Sequence, residues 1–447
     1  MKYLFLDNFR GFSNTWIPVT DVNFLVGQNS TGKTSVLSLL KLLSDPSFLF
    51  GESFVHDYVS FGRFSDIVSA HAADKKYFRI GLAWEESGKK KNDRKTVAWL
   101  LTYVEDAGMP RVSRYTYLRG TSKISLIFSR GGVSFKKGTS RSPVSVSSVI
   151  DELIPRWVSE HSSGSGYGYD KLELPPSFPR RLPLFMALSF IPEAERPSKK
   201  TSKLGDTEII IDAIDDSSNI AFAHGMVWIA PIRMKPQRSY DALPLQFSSE
   251  GAHTPHVIRR MLRSKKAAVR FRAFLKRVGK ESDLFEGVEI KDFGGGSETP
   301  FEVDIVIDGK ALNLINVGYG VSQSLPVLVE VVVRPHGTWF AIQQPEVHLH
   351  PRAQAALGDV LFEMAASDHK SFLIETHSDF MIDRFRLNYR KMSKSRKPDS
   401  QILFFERKDK QNVVTPLLIG DSGDLPAAQP DSYREFFVKE QMNLLGI

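Results

Sequence analysis

Eight residues near the start of the chain have the types and spacing of a phosphate cradle. Gly27-Gln28-Asn29-Ser30-Thr31-Gly32-Lys33-Thr34 fits G-x-x-x-x-G-K-[ST]. Gly27 and Gly32 let the backbone wrap closely round an anion, so that its N–H groups point inward. Lys33 has the reach and charge for β- and γ-phosphates, and the Thr34 hydroxyl suits Mg²⁺. Asn29, Ser30, Thr31 and Ser35 complete the nucleotide-binding set. The expected cofactors are ATP and Mg²⁺.

Three further polar stretches could do chemistry. Asn316 to Pro326 is a Gly/Ser loop entering a helix, with Gly318, Gly320 and Ser322. A serine and adjacent N–H groups at a helix start can form a second anion cradle. Gln343-Gln344-Pro345-Glu346-Val347-His348-Leu349-His350 closes one apolar run, and Glu375-Thr376-His377-Ser378 closes another. Glu346, His348 and His350 could suggest a metal, but no further ligand follows at metal spacing.

The elements that position these residues are legible as patterns. Apolar strands are expected at Met1–Phe9, Trp16–Val19 and Phe24–Val26. A buried helix follows from Ser35 to Leu43, apolar on most sides. Five β-prone segments between Tyr77 and Phe135, separated by turn signals such as Ala107-Gly108-Met109-Pro110, predict an antiparallel meander. The Lys89-Lys90-Lys91 run is expected in its first loop. Residues 136–204, rich in Ser, Pro, Arg and Gly, suggest an inserted subdomain. Strands at Ile209–Ala213 and Met226–Ala230 come next. One helix is expected from Thr254 to about Val278, with nine basic residues from Arg259 to Arg277 and no acid among them. Such a helix could lie on a phosphate backbone or an acidic protein. A hairpin turns at Asp308-Gly309; buried strands are expected at Trp339–Ile342 and Ser371–Ile374, and a helix at Ala353–Ala365. Strands at Gln401–Glu406 and Val413–Pro416 and a helix at Ser432–Leu445 complete the reading.

Composition excludes some classes. The 447 residues hold no cysteine, which rules out disulfides, thiolate zinc sites and cysteine nucleophiles. The longest apolar run, Leu325 to Val333, contains Glu330 and is too short to span a bilayer. Asp7 and Arg10 interrupt the first apolar stretch, so no signal peptide is read there and a cytoplasmic protein is expected. A net charge of +8 permits nucleic-acid contact without requiring it.

In this order the motifs resemble the ABC-type ATPases of the SMC, RecF and OLD (overcoming lysogenization defect) group. Asn8-Phe9-Arg10-Gly11-Phe12 and Ala230-Pro231-Ile232-Arg233, with Arg238 and Tyr240, belong to the resemblance. The second of these looks like a signature of defence-type members. The implied fold class is α/β, an ABC-type P-loop ATPase head. It carries an antiparallel β subdomain and an inserted, largely helical or irregular subdomain. The implied domains are 1–135, 136–225 and 226–447. The resemblance implies a homodimer of heads, or a higher homo-oligomer. ATP would be sandwiched between Gly27–Thr34 of one head and Gly318, Gly320 and Ser322 of the other. His377 matches the switch histidine that senses the γ-phosphate, and His350-Pro351 the loop that communicates between heads.

One departure concerns chemistry. The group usually offers two acids before Pro-Glu, the first holding Mg²⁺ through water and the second polarising the attacking water; here Gln343 and Gln344 stand in those places. Glutamine orients water but accepts no proton. Three readings stay open: Glu346 serves instead, ATP is held firmly and hydrolysed slowly, or Gln344 is an engineered replacement. In addition, no glutamine lies between Gln28 and Gln237 to act as the group's metal-contacting residue.

No acidic nuclease cluster follows His377. The chain therefore looks like the stand-alone ATPase subunit of a two-component anti-phage system such as Septu or PARIS. The resemblance then implies a separate nuclease effector and a phage protein trigger. The alternative is a RecF- or SMC-like DNA clamp using the Arg259–Arg277 helix. A third reading is an ATP-gated assembly that binds protein only.

Overall fold

The computed structural model describes residues 1–45, 48, 53–56, 58–87, 94–129, 132–140, 144–163, 168–172, 225–241, 243, 245–294, 299–393, 397–433 and 435. The chain divides into two units. One comprises Met1–Val19, Gln28–Gly225 and Phe405–Val414; the other comprises Thr20–Gly27, Met226–Phe404 and Thr415–Ile447.

In the first unit, β1 (Lys2–Asp7) and β2 (Thr15–Val19) pair with each other. The β-prone run forms β6 (Tyr77–Ser87), β7 (Arg94–Asp106), β8 (Met109–Arg119), β9 (Ser122–Ser129) and β10 (Gly132–Thr139). A short ribbon of β4 (Val55–His56) and β5 (Val59–Ser60) stands apart. With β11 (Asp170–Lys171) the large sheet reads β11-β10-β9-β8-β7-β6-β1-β2, antiparallel throughout. The turn between β7 and β8 places Ala107 and Gly108 at φ 52° and 81°, the left-handed pair that a two-residue hairpin needs. α1 (Lys33–Leu43) buries Val36, Leu37, Leu39, Leu40, Leu42 and Leu43. Each such side chain contributes about 1.5–3 kcal/mol when taken from water.

The stretch expected as an inserted subdomain lies largely outside the described residues, as do the Lys89–Lys91 run and the Ile209–Ala213 strand. What is described of it is part strand and part helix. β10 and β11 are sheet strands, and α2 (Ile154–Ser162) packs Trp157 against Phe5, Ala83, Ala98, Leu100 and Leu118.

The second unit is built on β3 (Val22–Gly27), β12 (Val227–Ile229), β16 (Trp339–Gln343) and β17 (Ser371–Glu375), with the start of β18 (Ser400–Lys408) and the end of β19 (Gln411–Leu418), in the order β12-β16-β17-β3-β18-β19; Phe405–Val414 of that hairpin belongs to the first unit. Neighbours from β12 to β3 run parallel. Helices cover such strands on both faces, which is why Phe24–Val26 and Phe372–Ile374 read as apolar runs and β3 and β17 are buried along their whole length. A smaller antiparallel sheet joins β13 (Gly287–Asp292), β14 (Phe301–Ile307) and β15 (Lys310–Asn313), turning at Asp308-Gly309 as expected.

One expectation is corrected. Thr254 to Val278 is not one helix but two, α3 (Thr254–Arg263) and α4 (Ala268–Ser282). Ser264 takes an extended conformation, and its hydroxyl accepts the Ala267 N–H at 3.2 Å. A serine caps a helix start better than it continues a helix. The unit is completed by α5 (Tyr319–Val333), α6 (Pro351–Asp368) and α7 (Asp379–Leu387). The terminal helix is described only at its first residues. No helix among the described residues is long and apolar enough to cross a membrane.

Candidate functional site

β16, β17 and β3 are parallel neighbours, so their carboxyl ends share one edge of the sheet, the usual ligand edge of a parallel α/β fold. Gln343 pairs with Glu375, and Glu375 with Leu25. Gly27 ends β3 at φ 132°, and the phosphate loop begins there.

Within the loop, Ser30 and Gly32 have φ of 59° and 93°. The Thr31 hydroxyl and the Lys33 ammonium both donate to the Gln28 carbonyl at 2.7 Å. Lys33 is buried; Asn29, Ser30 and Thr34 are exposed, and Ser35 is half-buried. Gly32 caps α1 with no side-chain hydrogen bond, and no acid occupies the first turn. A helix start lacking both is suited to an external anion. The Arg10-Gly11-Phe12 turn lies behind the loop. A Cβ on Gly32 would fall 2.5 Å from the Phe12 ring, so only glycine fits against that phenylalanine.

In the second unit, the Gln344 N–H donates to the Glu375 carbonyl at 2.7 Å. The Gln343 amide donates to the Glu375 carboxylate at 3.4 Å. Glu346 is 9% exposed; its Oε1 accepts the His377 N–H at 2.7 Å, and its Oε2 has no hydrogen-bond partner among the described residues. Burial pushes its carboxyl above the usual range, opposed by that N–H, its own N–H, the Thr376 hydroxyl and the Arg233 charge. A carboxylate raised in this direction is a better proton acceptor than a free one. The Arg233 guanidinium is buried, donates to the Gln343 carbonyl at 3.2 Å, and leaves Nε and Nη1 without hydrogen-bond partners among the described residues. Burial lowers it to about 10, against the pull of Glu346. Ala230–Arg233 had been singled out only by resemblance; here its arginine lies against the β16 end.

His377 is exposed, and the next residue, Ser378, caps α7 through the Met381 N–H at 3.1 Å. His348 stands edge-on to Tyr319 with ring centres 4.9 Å apart. A Cβ on Gly320 would meet the His348 carbonyl at 2.8 Å, so this glycine lets the start of α5 seat on the 346–350 loop. Gly318 and Tyr319 are exposed, whereas Ser322 is buried with its hydroxyl donating to the Tyr319 carbonyl at 2.8 Å. No cluster of three or more His, Asp or Glu side chains among the described residues could hold a metal ion.

The basic pair α3–α4 is less uniform than its sequence. Asp292, on β13, accepts Arg259 at 2.8 Å and Arg263 at 2.6 Å, while Arg277 pairs with Glu281 and Glu363. Arg260, Lys265, Lys266, Arg272 and Lys276 are exposed and have no ion-pair partner among the described residues. Asp292 and Glu363 come from other elements, and Glu281 lies on α4 beyond the basic run, so the run alone could not show them.

Residues 1–128 match the family model described as "AAA ATPase domain", and residues 244–383 the one described as "AAA domain, putative AbiEii toxin, Type IV TA system". No curated protein matches the sequence significantly. Among solved structures, the chain is similar to an SMC head bound to the C-winged helix domain of ScpA, at 11% identity and TM-score 0.42, over 94% of this chain and 98% of that one. It is similar to the SMC head domain from Thermotoga maritima at 13% and 0.38, over 93% and 98%. The recombination mediator RecF of the RecFOR pathway gives 12% and 0.31, over 92% and 97%. Values this low leave function to the chain's own residues. Two segments of the chain thus match AAA ATPase-domain models, and the first of them holds the phosphate loop and the start of α1.

Proposed function

We propose that this protein is the ATP-binding and ATP-hydrolysing sensor and scaffold of a prokaryotic anti-phage defence complex. ATP-dependent dimerisation of its heads controls a separate nuclease effector. The observation that carries the ATPase core is the phosphate loop opening into α1, whose glycine start has no side-chain cap. The two-component reading draws on the description of the family matched by residues 244–383, which names a toxin and a TA system. Coexpression with the product of the adjacent gene tests it. A neighbour that co-purifies and is a nuclease or toxic is expected; one that is neither counts against the defence role.

In this reading, Lys33 and the loop N–H groups hold the β- and γ-phosphates. Glu346 takes the proton of the attacking water, Gln344 orients that water, and His377, whose N–H already holds Glu346, senses the γ-phosphate. Gly318, Gly320 and Ser322 mark the α5 start that closes over the nucleotide of a second head. The Thr34 hydroxyl and the Gln343 amide oxygen are hard oxygen donors of the kind Mg²⁺ prefers. When bound, Mg²⁺ would neutralise charge on the phosphates. With amides at Gln343 and Gln344 where two carboxylates are usual, hydrolysis is expected to be slow. Gln344→Glu is expected to raise steady-state turnover at least about tenfold by adding a second proton acceptor. Brisk turnover in the unaltered protein, unchanged by that substitution, would sink the slow-sensor idea.

A RecF- or SMC-like DNA clamp is the second reading, favoured by the five exposed cations of α3–α4 that have no ion-pair partner among the described residues. It predicts sequence-indifferent duplex binding that weakens steeply with salt. Joint replacement of Lys265, Lys266, Arg272 and Lys276 by glutamate would abolish that binding in a filter or anisotropy assay. Affinity that ignores both salt and these changes would exclude the clamp.

A further inference from the structure

The hairpin joining β18 to β19 carries two side chains that belong to none of the motifs. The Arg407 guanidinium donates through Nη2 to the Ser30 carbonyl at 2.7 Å. The same guanidinium reaches Asn412 Oδ1, from Nε at 3.4 Å and from Nη2 at 3.3 Å. Asn412 is buried and anchors the arrangement from behind. Its Nδ2 donates to the Arg10 carbonyl at 3.0 Å, and its backbone N–H to the Gly11 carbonyl at 2.8 Å. Upstream on the same hairpin, the Phe405 carbonyl accepts the Gln28 N–H at 3.2 Å. The phosphate loop is thus held at Gln28 and Ser30 by residues nearly four hundred positions away in sequence.

The contact at Ser30 has a directional consequence. A trans peptide points its C=O and N–H to opposite sides. Holding the Ser30 carbonyl toward Arg407 therefore directs the Thr31 N–H the other way. Ser30 is also left-handed at φ 59°, a conformation that serine keeps only when its surroundings impose it.

We propose that Arg407 is a positioning residue for nucleotide binding: its guanidinium fixes the Ser30–Thr31 peptide so that the Thr31 N–H faces a bound phosphate. The proposal rests on the assignment of Gly27–Thr34 as the ATP site. Preorganised donors bind an anion without first losing the entropy of ordering the loop. The effect therefore falls on affinity and not on the chemical step.

Fluorescent ATP-analogue titration and steady-state turnover of the full chain test it. Arg407→Met keeps the stem and removes the donors; Arg407→Lys keeps one cationic donor. Arg407→Met is expected to raise Kd and KM about tenfold, with kcat at saturating ATP unchanged and nucleotide-free melting within a few degrees of the unaltered protein. Arg407→Lys is expected to recover most of the affinity. An Arg407→Met protein with unaltered Kd overturns the proposal, and so does an Arg407→Lys protein as weak as Arg407→Met. Lys33→Ala serves as the control. If Lys33→Ala leaves ATP binding intact, the ATP site itself is misassigned; if Lys33→Ala loses binding and Arg407→Met does not, only the role of Arg407 fails.

Discussion

Lys33→Ala is expected to reduce ATP affinity by roughly 10²–10³-fold, enough to abolish binding at micromolar nucleotide. The Lys33 side chain is buried and its ammonium donates to the Gln28 carbonyl at 2.7 Å, so it is held within the loop. Truncating one partner of a buried, hydrogen-bonded charge pair costs about 2–5 kcal/mol, and each 1.4 kcal/mol is tenfold in affinity. The fold should survive, because α1 is anchored by six buried aliphatic side chains that the substitution leaves in place. Isothermal titration with ATP, beside a thermal melt without nucleotide, separates lost binding from lost structure. An unchanged ATP affinity would refute the phosphate-loop assignment.

Glu346→Gln should do the opposite, leaving ATP bound and stopping its hydrolysis. General-base catalysis is worth about 10²–10⁴-fold, and turnover is expected to fall by that order while Kd barely moves. The glutamine Oε1 can still accept the His377 N–H, so the link between the two strand ends persists. The pH dependence follows from the direction of the shift. Burial raises the Glu346 carboxyl above its unfolded value, so the unaltered enzyme should lose turnover on the acid side at a pH above the ordinary carboxylate range. The same shift has a stability consequence. The protonated form is favoured by folding below the unfolded pKa, and that contribution is lost as pH rises through the folded value. Glu346→Gln should therefore melt no lower than the unaltered protein at neutral pH, and the part of its pH–stability slope due to this group should vanish. Turnover retained in Glu346→Gln would remove it from the chemistry.

Much of this was legible in the residues because it depends on short-range rules. The G-x-x-x-x-G-K-[ST] spacing needs only two permissive glycines and a helix start, and α1 begins at Lys33. The meander was marked by turn chemistry; Ala107-Gly108 takes the left-handed pair that its hairpin requires. β3, β16 and β17 were visible as apolar runs, since a strand covered on both faces has no polar side to show. The split between α3 and α4 was missed because the basic run continues across Ser264, whose capping preference outweighed the helical period.

What the sequence by itself determined is therefore most of the local elements and the residue types of the G-x-x-x-x-G-K-[ST] loop. Only the tertiary structure decided which side chains act on one another across the chain. It set Arg233 beneath the β16 end, gave Asp292 to Arg259 and Arg263, buried Ser322, and brought Arg407 and Asn412 to the phosphate loop. The reason is physical. Helix and strand periods and turn preferences act over a few residues, whereas the charge, burial and hydrogen bonding of these groups depend on neighbours that parallel strand pairing supplies from distant parts of the sequence.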